Sequence, residues 1–163
     1  MVLSMLVLLV PIALIIGLFQ VIGGDREVTV VDPAPAIAEA RDAGLAVAVP
    51  HGLPSGWRPT SAVTRTAGGS VTLRIGYVSP SGGFVQLIES NADAAALLRD
   101  EVGGGQAPRR PDGTERIRGE SWQAYPGRED ERALVLLQPE RTIVVLGKAP
   151  SEELTALAGS VRP

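Results

Sequence analysis

The sequence predicts an α+β protein: an N-terminal transmembrane helix, then one domain with an antiparallel sheet of about five or six strands and two or three helices on one face. Three observations predict it. Met1 to Ile22 contains no charged side chain. Beyond it, segments of period-two alternation follow one another through tight turns instead of alternating with helices, which excludes a doubly wound sheet. Between and after these runs stand segments that open with helix-capping residues and close at glycine.

The first element, Met1 to Ile22, is interrupted only by Ser4, Pro11, Gly17 and Gln20. Its length matches the roughly 20 residues that cross a hydrocarbon core, and spanning helices tolerate a proline. Gly23 and Gly24 end the run, and Asp25, Arg26 and Glu27 mark the water boundary. A cleaved signal peptide is the main rival reading, but its apolar core is normally about 7–15 residues behind a basic start. A buried core helix fits worst, because no second element is apolar enough to cover all its faces. Charge does not orient the span: no Lys or Arg precedes it, and Arg26 lies between two acids. A one-residue leader with a long trailing domain suits a signal-anchor, with the domain outside the cytoplasm. The expected organisation is a transmembrane helix over 1–22, a juxtamembrane linker over 23–31 and an extracytoplasmic domain over 32–163.

Within the domain, Asp32-Pro33 reads as an N-cap followed by proline at the first helical position, giving a short helix from Pro33 to Asp42 that Gly44 stops. Pro50 to Pro59 is turn-rich and reads as an ordered loop. Ala62 to Thr66 and Val71 to Ser79 are strand-like; in the second, Val71, Leu73, Ile75 and Tyr77 point one way and Thr72, Arg74 and Gly76 the other. The turn Ser79-Pro80-Ser81-Gly82-Gly83 returns the chain antiparallel through Phe84 to Glu89. Asn91 to Val102 changes to helical period, with Asn91 as N-cap and Gly103 to Gly105 as the stop. Gln106 to Thr114 is a loop. Arg116 to Ala124 reads as one strand. Arg132 to Leu137 and Arg141 to Leu146, joined by Gln138-Pro139-Glu140, are nearly continuous apolar runs and belong in the middle of the sheet. Ser151 caps a last helix, with Glu152 and Glu153 against its dipole and Leu154, Leu157, Ala158 and Val161 as its apolar stripe.

Composition removes several function classes. The slightly acidic balance, a formal net charge of −3, argues against nucleic acid, which demands a basic face. It has no Cys, hence no disulfide, thiolate chemistry or lipidated Cys, and its one His makes a His/Cys metal site impossible by count. That residue, His51, lies between Pro50 and Gly52 with no partner implied for a triad, and Gly119 to Gln123 lacks the second glycine of a nucleophile elbow. Glu129, Asp130 and Glu131 are flanked by Arg128 and Arg132 and read as a solvated turn. Gly103 to Gly105 follows a helix and precedes no Lys, so it is no phosphate cradle. Two tryptophans stand out where aromatics are 4% of the chain. Trp57 and Trp122, with Tyr125, form a speculative apolar pocket for a lipid, glycan or peptide; core packing, even of the two Trp against each other, is the plainer reading.

The ordered runs MVLSMLVLLVP at the start, VVDPAP at Val30 to Pro35, GLPSGWRPTSA at Gly52 to Ala62, VTLRIGYVSPSGGFVQLIES at Val71 to Ser90, SWQAYPGR at Ser121 to Arg128 and ERALVLL at Glu131 to Leu137 resemble the actinobacterial domain-of-unknown-function family 4245 over nearly the whole chain. The resemblance implies a short membrane-anchored protein with an extracytoplasmic domain and no assigned activity. It also implies a basic stretch ahead of the apolar segment; this sequence begins inside that segment, as a late-called start or a missing leader would have it.

These readings converge on a non-catalytic sensing or binding domain at the cell membrane, with no cofactor, whose partner is another envelope protein or a hydrophobic ligand. The alternative is a carrier of a lipid or other hydrophobic ligand at the outer face of the membrane. An unrecognised hydrolase comes third, for want of a catalytic constellation.

Overall fold

The computed structural model describes residues 29–162. The expected span over 1–22 lies outside them; among the described residues no helix is long and apolar enough to cross a membrane. The elements run α1 (Ala34–Asp42), β1 (Val49–Pro50), β2 (Arg58–Ala67), β3 (Ser70–Val78), β4 (Phe84–Ser90), α2 (Ala94–Glu101), β5 (Gly113–Ile117), β6 (Glu120–Pro126), β7 (Arg132–Leu137), β8 (Thr142–Lys148), α3 (Ser151–Ser160) and β9 (Val161–Arg162). The fold is α+β, as expected, with three helices among the described residues and a main antiparallel sheet of seven strands ordered β2-β3-β4-β8-β7-β6-β5. Two meanders, β2-β3-β4 and β5-β6-β7-β8, meet where β4 pairs with β8. A separate two-residue ladder joins β1 to β9.

The sheet is wider than the five or six strands expected, for a local reason. The run Arg116 to Ala124 is not one strand but a hairpin folded at Arg118-Gly119, both at positive φ (51° and 89°). That pair is the two-residue turn whose twist matches the flanking strands; arginine is an unusual residue to carry it. The first strand also starts earlier than expected, at Arg58, and includes Pro59. An edge strand accommodates proline because one side of its ladder is unpaired. On that side the N–H of Val31 donates to the Pro59 carbonyl at 2.8 Å, so the chain enters the domain there.

The helices do not share one face. Val71, Leu73, Ile75 and Tyr77 of β3 line the same face as Val85 and Leu87 of β4, Ile143 and Val145 of β8, Leu134 and Leu136 of β7, and Trp122 of β6. Helices α1 (Ala36, Ile37, Ala40) and α3 (Leu154, Leu157, Ala158) cover that face. The opposite face, with Ile88, Val144, Leu146, Val135 and Tyr125, is covered by Leu97, Leu98 and Val102 in and after α2. Strands β4, β7 and β8 are apolar on both sides and need cover on both, so α2 crosses the back of the sheet.

Capping differs in detail. Asp93, not Asn91, caps α2, accepting from the Ala96 N–H at 2.9 Å, while the Asn91 side-chain carbonyl takes the N–H of Val71 at 2.6 Å. Pro150 occupies the N-cap of α3, and Ser151 is its first residue without a side-chain cap. Pro33 holds the N-cap of α1, with Asp32 accepting from the Ala34 N–H at 2.9 Å.

Candidate functional site

Along β4 the buried-face positions read Val85, Leu87, Glu89. Strand alternation carries Glu89 under α1 and α3, and its side chain is fully buried, between Leu73 on β3 and Ile143 on β8. One oxygen, Oε2, accepts the N–H of Ala48 at 2.9 Å and stands 3.5 Å from Nη1 of Arg141. The other, Oε1, is buried with no hydrogen-bond partner among the described residues. Burial pushes the Glu89 carboxyl up to about 7, from an ordinary 4.5. The Ala48 N–H and the guanidinium groups of Arg141 and Arg41 pull the other way without cancelling the loss of solvation. Burial, and then the Glu89 charge, push the Tyr77 hydroxyl up to about 12.

Arg141 joins three parts of the chain. Its Nε donates to the side-chain carbonyl of Gln138 at 2.8 Å, across the β7–β8 turn that Gln138 N–H also closes onto the Arg141 carbonyl. Its Nη1 donates to the Ala46 carbonyl, in the segment between α1 and β1, and reaches Glu89. Its Nη2 has no partner among the described residues. The side chain as a whole is 7% exposed.

Around Arg141 opens a cleft of about 460 Å³. Ala46, Leu137, Gln138 and Pro139 line it together with the arginine, and so do Glu120 and Glu140, both exposed. Glu120, Gln138 and Arg141 also border a smaller cavity of about 80 Å³ that runs in to Trp122, Leu136, Ile143 and Ala158. The cleft lies at the end of the strands away from the chain entry: Pro59, Tyr77, Val85 and Gly147 are in register across the sheet, and Arg141 precedes Gly147 by six residues, ~20 Å of strand.

The structure does not gather Trp57, Trp122 and Tyr125 into one pocket. Trp57 is half-buried and meets Tyr77 edge-to-face, with ring centroids 6.0 Å apart and planes at 80°. Trp122 is buried on β6, four strand positions from β3, or ~19 Å. Tyr125 is on β6 too, but three residues on it faces α2 on the other side of the sheet, donating its hydroxyl to Gln123 at 2.7 Å. Only Trp122 borders a cavity beside the cleft. His51 is exposed, and its backbone N–H donates to the Ser160 carbonyl at 2.8 Å. In the acidic run, Asp130 pairs with Lys148 at 2.8 Å and Glu131 stands 3.7 Å from Arg128. Among the described residues no three His, Cys, Asp or Glu side chains converge as a metal site would need. Glu89 and Arg141, absent from the sequence expectation, are the polar centre of the domain. One signal pointed to Glu89: it is a charged residue on the buried parity of an otherwise apolar strand.

Fold and site together define an α+β domain built on one main antiparallel sheet, with a buried carboxylate–guanidinium pair beneath an open cleft. The chain belongs to the family described as Protein of unknown function (DUF4245), whose match covers residues 1–161. No curated protein matches the sequence.

Proposed function

We propose that the protein is a non-catalytic binding domain, anchored in the membrane by residues 1–22 with the domain outside the cytoplasm, that takes its partner in the Arg141 cleft. The observation that carries this reading is the cleft itself: an open, mixed polar and apolar concavity around a nine-tenths buried arginine, at the end of the sheet remote from the chain entry. A tethered domain offers that end to the surroundings and keeps the other near the tether.

Carriage of a lipid draws less support. Both faces of the sheet are packed with large side chains, and the cavity beside Trp122, about 80 Å³, is far below the ~300–1,000 Å³ of small-molecule pockets. The hydrolase reading draws less still. Glu89 has the raised carboxyl of a general acid, but it is fully buried and lines neither the cleft nor the cavity, so no substrate reaches it.

Two experiments test the proposal. Because the chain has no Cys, the single variant Glu140→Cys reports topology by reaction with a membrane-impermeant maleimide. Labelling in intact cells is expected; labelling only after lysis refutes the outside placement. A photoreactive phenylalanine analogue at Glu140, compared with one at Arg65 on the sheet edge, should capture one consistent partner from the first position only. Equal capture from both, or adducts with lipid alone, refutes the cleft as the binding face.

A further inference from the structure

We infer that the cleft takes a peptide-like ligand bearing both a carboxylate and an ammonium group, the carboxylate on Arg141 and the ammonium against Glu120 and Glu140. The inference rests on the proposed binding role and names the chemistry of that site.

Three features argue for it. The first is the guanidinium. Gln138, Ala46 and Glu89 engage Nε and Nη1 of Arg141 and hold the group still, whereas Nη2 has no partner among the described residues and Arg141 lines the cleft. A preorganised guanidinium with a free N–H selects an oxyanion. The second is the charge around it. Of the charged residues that line the cleft, two are the acids Glu120 and Glu140 and one is Arg141, so a simple anion such as phosphate gains little there. A ligand that carries its own cation gains from the two acids as well as from the guanidinium. The third is the apolar remainder. Leu137 is 48% exposed, and with Pro139 and Ala46 it offers an aliphatic wall between the arginine and the acids. Carboxylate, aliphatic stem and ammonium in sequence describe the end of a peptide with a lysine-like side chain. The volume of about 460 Å³ falls within the range of sites for such molecules.

The test uses the full chain in detergent and an N-acetylated lysine-centred tripeptide with a free C-terminal carboxylate, read by calorimetry and by shifts of amide resonances. Two control ligands are its C-terminal amide and its norleucine analogue, and inorganic phosphate is a third. The expected result is saturable binding of the tripeptide, weakened at least tenfold in the amide and several-fold in the norleucine form, with no binding of phosphate. Glu120→Gln/Glu140→Gln, changed at two exposed positions, should erase the difference between the lysine and norleucine peptides while leaving the preference for the free carboxylate. Phosphate binding as tightly as the tripeptide overturns the inference in favour of a plain anion site. Equal affinity for the acid and the amide overturns the role of Arg141. Absence of any tripeptide binding, where photocrosslinking at Glu140 still captures a partner, overturns the ligand class and leaves the binding role standing.

Discussion

Stability should fall as pH rises from 5 to 8, and Glu89 should be the cause. Its carboxyl titrates near 7 in the folded domain against 4.5 in its ordinary state. The folded state therefore holds the proton more tightly than the unfolded chain does. Below about 4.5 both states are protonated and the domain keeps its full stability with respect to this group. Between 4.5 and 7 the unfolded chain gives up the proton while the folded one retains it, so stability declines with pH; above 7 the loss is complete. The difference of about 2.5 pH units corresponds to about 3 kcal/mol. The assay is urea unfolding of the full chain in mild detergent at pH 5, 6, 7 and 8. Glu89→Gln removes the titration and should flatten the profile over that interval. Its absolute stability is a poorer readout, because the buried amide brings donors that need acceptors, at about 1–3 kcal/mol. The slope is the measurement that decides. Parallel profiles for the wild type and Glu89→Gln between pH 5 and 8 would refute the assignment.

Three further outcomes follow from the packing. Trp122→Ala empties a 2% exposed site on β6 and should cost about 3–5 kcal/mol, read as a lowered thermal midpoint; a cost below about 1 kcal/mol would mean that the neighbouring cavity collapses onto the vacancy. Gly147→Ala puts a methyl 2.3 Å from the Phe84 carbonyl and 2.7 Å from the Val85 Cα, both backbone atoms at the joint of the two meanders; it should cost about 3 kcal/mol by urea unfolding, and a neutral outcome would mean that β4 and β8 do not pair in this register. Asp93→Ala deletes the cap of α2 and should cost about 1 kcal/mol, with faster amide exchange confined to that helix if the cap acts locally.

Much of this fold is legible in the sequence because it is made by hairpins. The turn at Ser79 to Gly83 and the turn at Gln138 to Glu140 each sit between alternating or apolar runs, and each closes the hairpin expected there. The continuous apolar runs correctly marked β7 and β8 as interior strands. What local pattern does not reveal is how the two meanders join. The pairing of β4 with β8 connects residues more than fifty apart, and no propensity encodes it. The back-face position of α2 follows from that join. The Arg118-Gly119 turn was hidden because a non-glycine residue carries a positive φ there, imposed by the closing of the hairpin. The site was harder still. Aromatics drew attention to Trp57, Trp122 and Tyr125, but strand parity and sheet order separate them, whereas Glu89 and Arg141 meet across 52 residues of chain.

That meeting is costly, which bears on what it is for. Burying an ionised carboxyl and a guanidinium costs several kcal/mol per ion, and a pair 3.5 Å apart with one oxygen unpartnered recovers only part of it, which is why the Glu89 carboxyl holds its proton up to about pH 7. The apolar faces around the pair supply the core: Leu73, Leu87 and Ile143 lie against the same layer and are essentially fully buried. A hydrophobic residue at position 89 would satisfy the packing better than glutamate does. What glutamate adds is a fixed point for Arg141. With Nη1 held by Glu89 and Ala46 and Nε held by Gln138, the guanidinium has lost its rotamer freedom, and under the proposed binding role a ligand would not bear that entropy. The same anchor ties the β7–β8 turn and the segment after α1 into one rigid rim. Under the proposed binding role, the cost in stability is the counterpart of a preorganised Arg141 in the cleft wall.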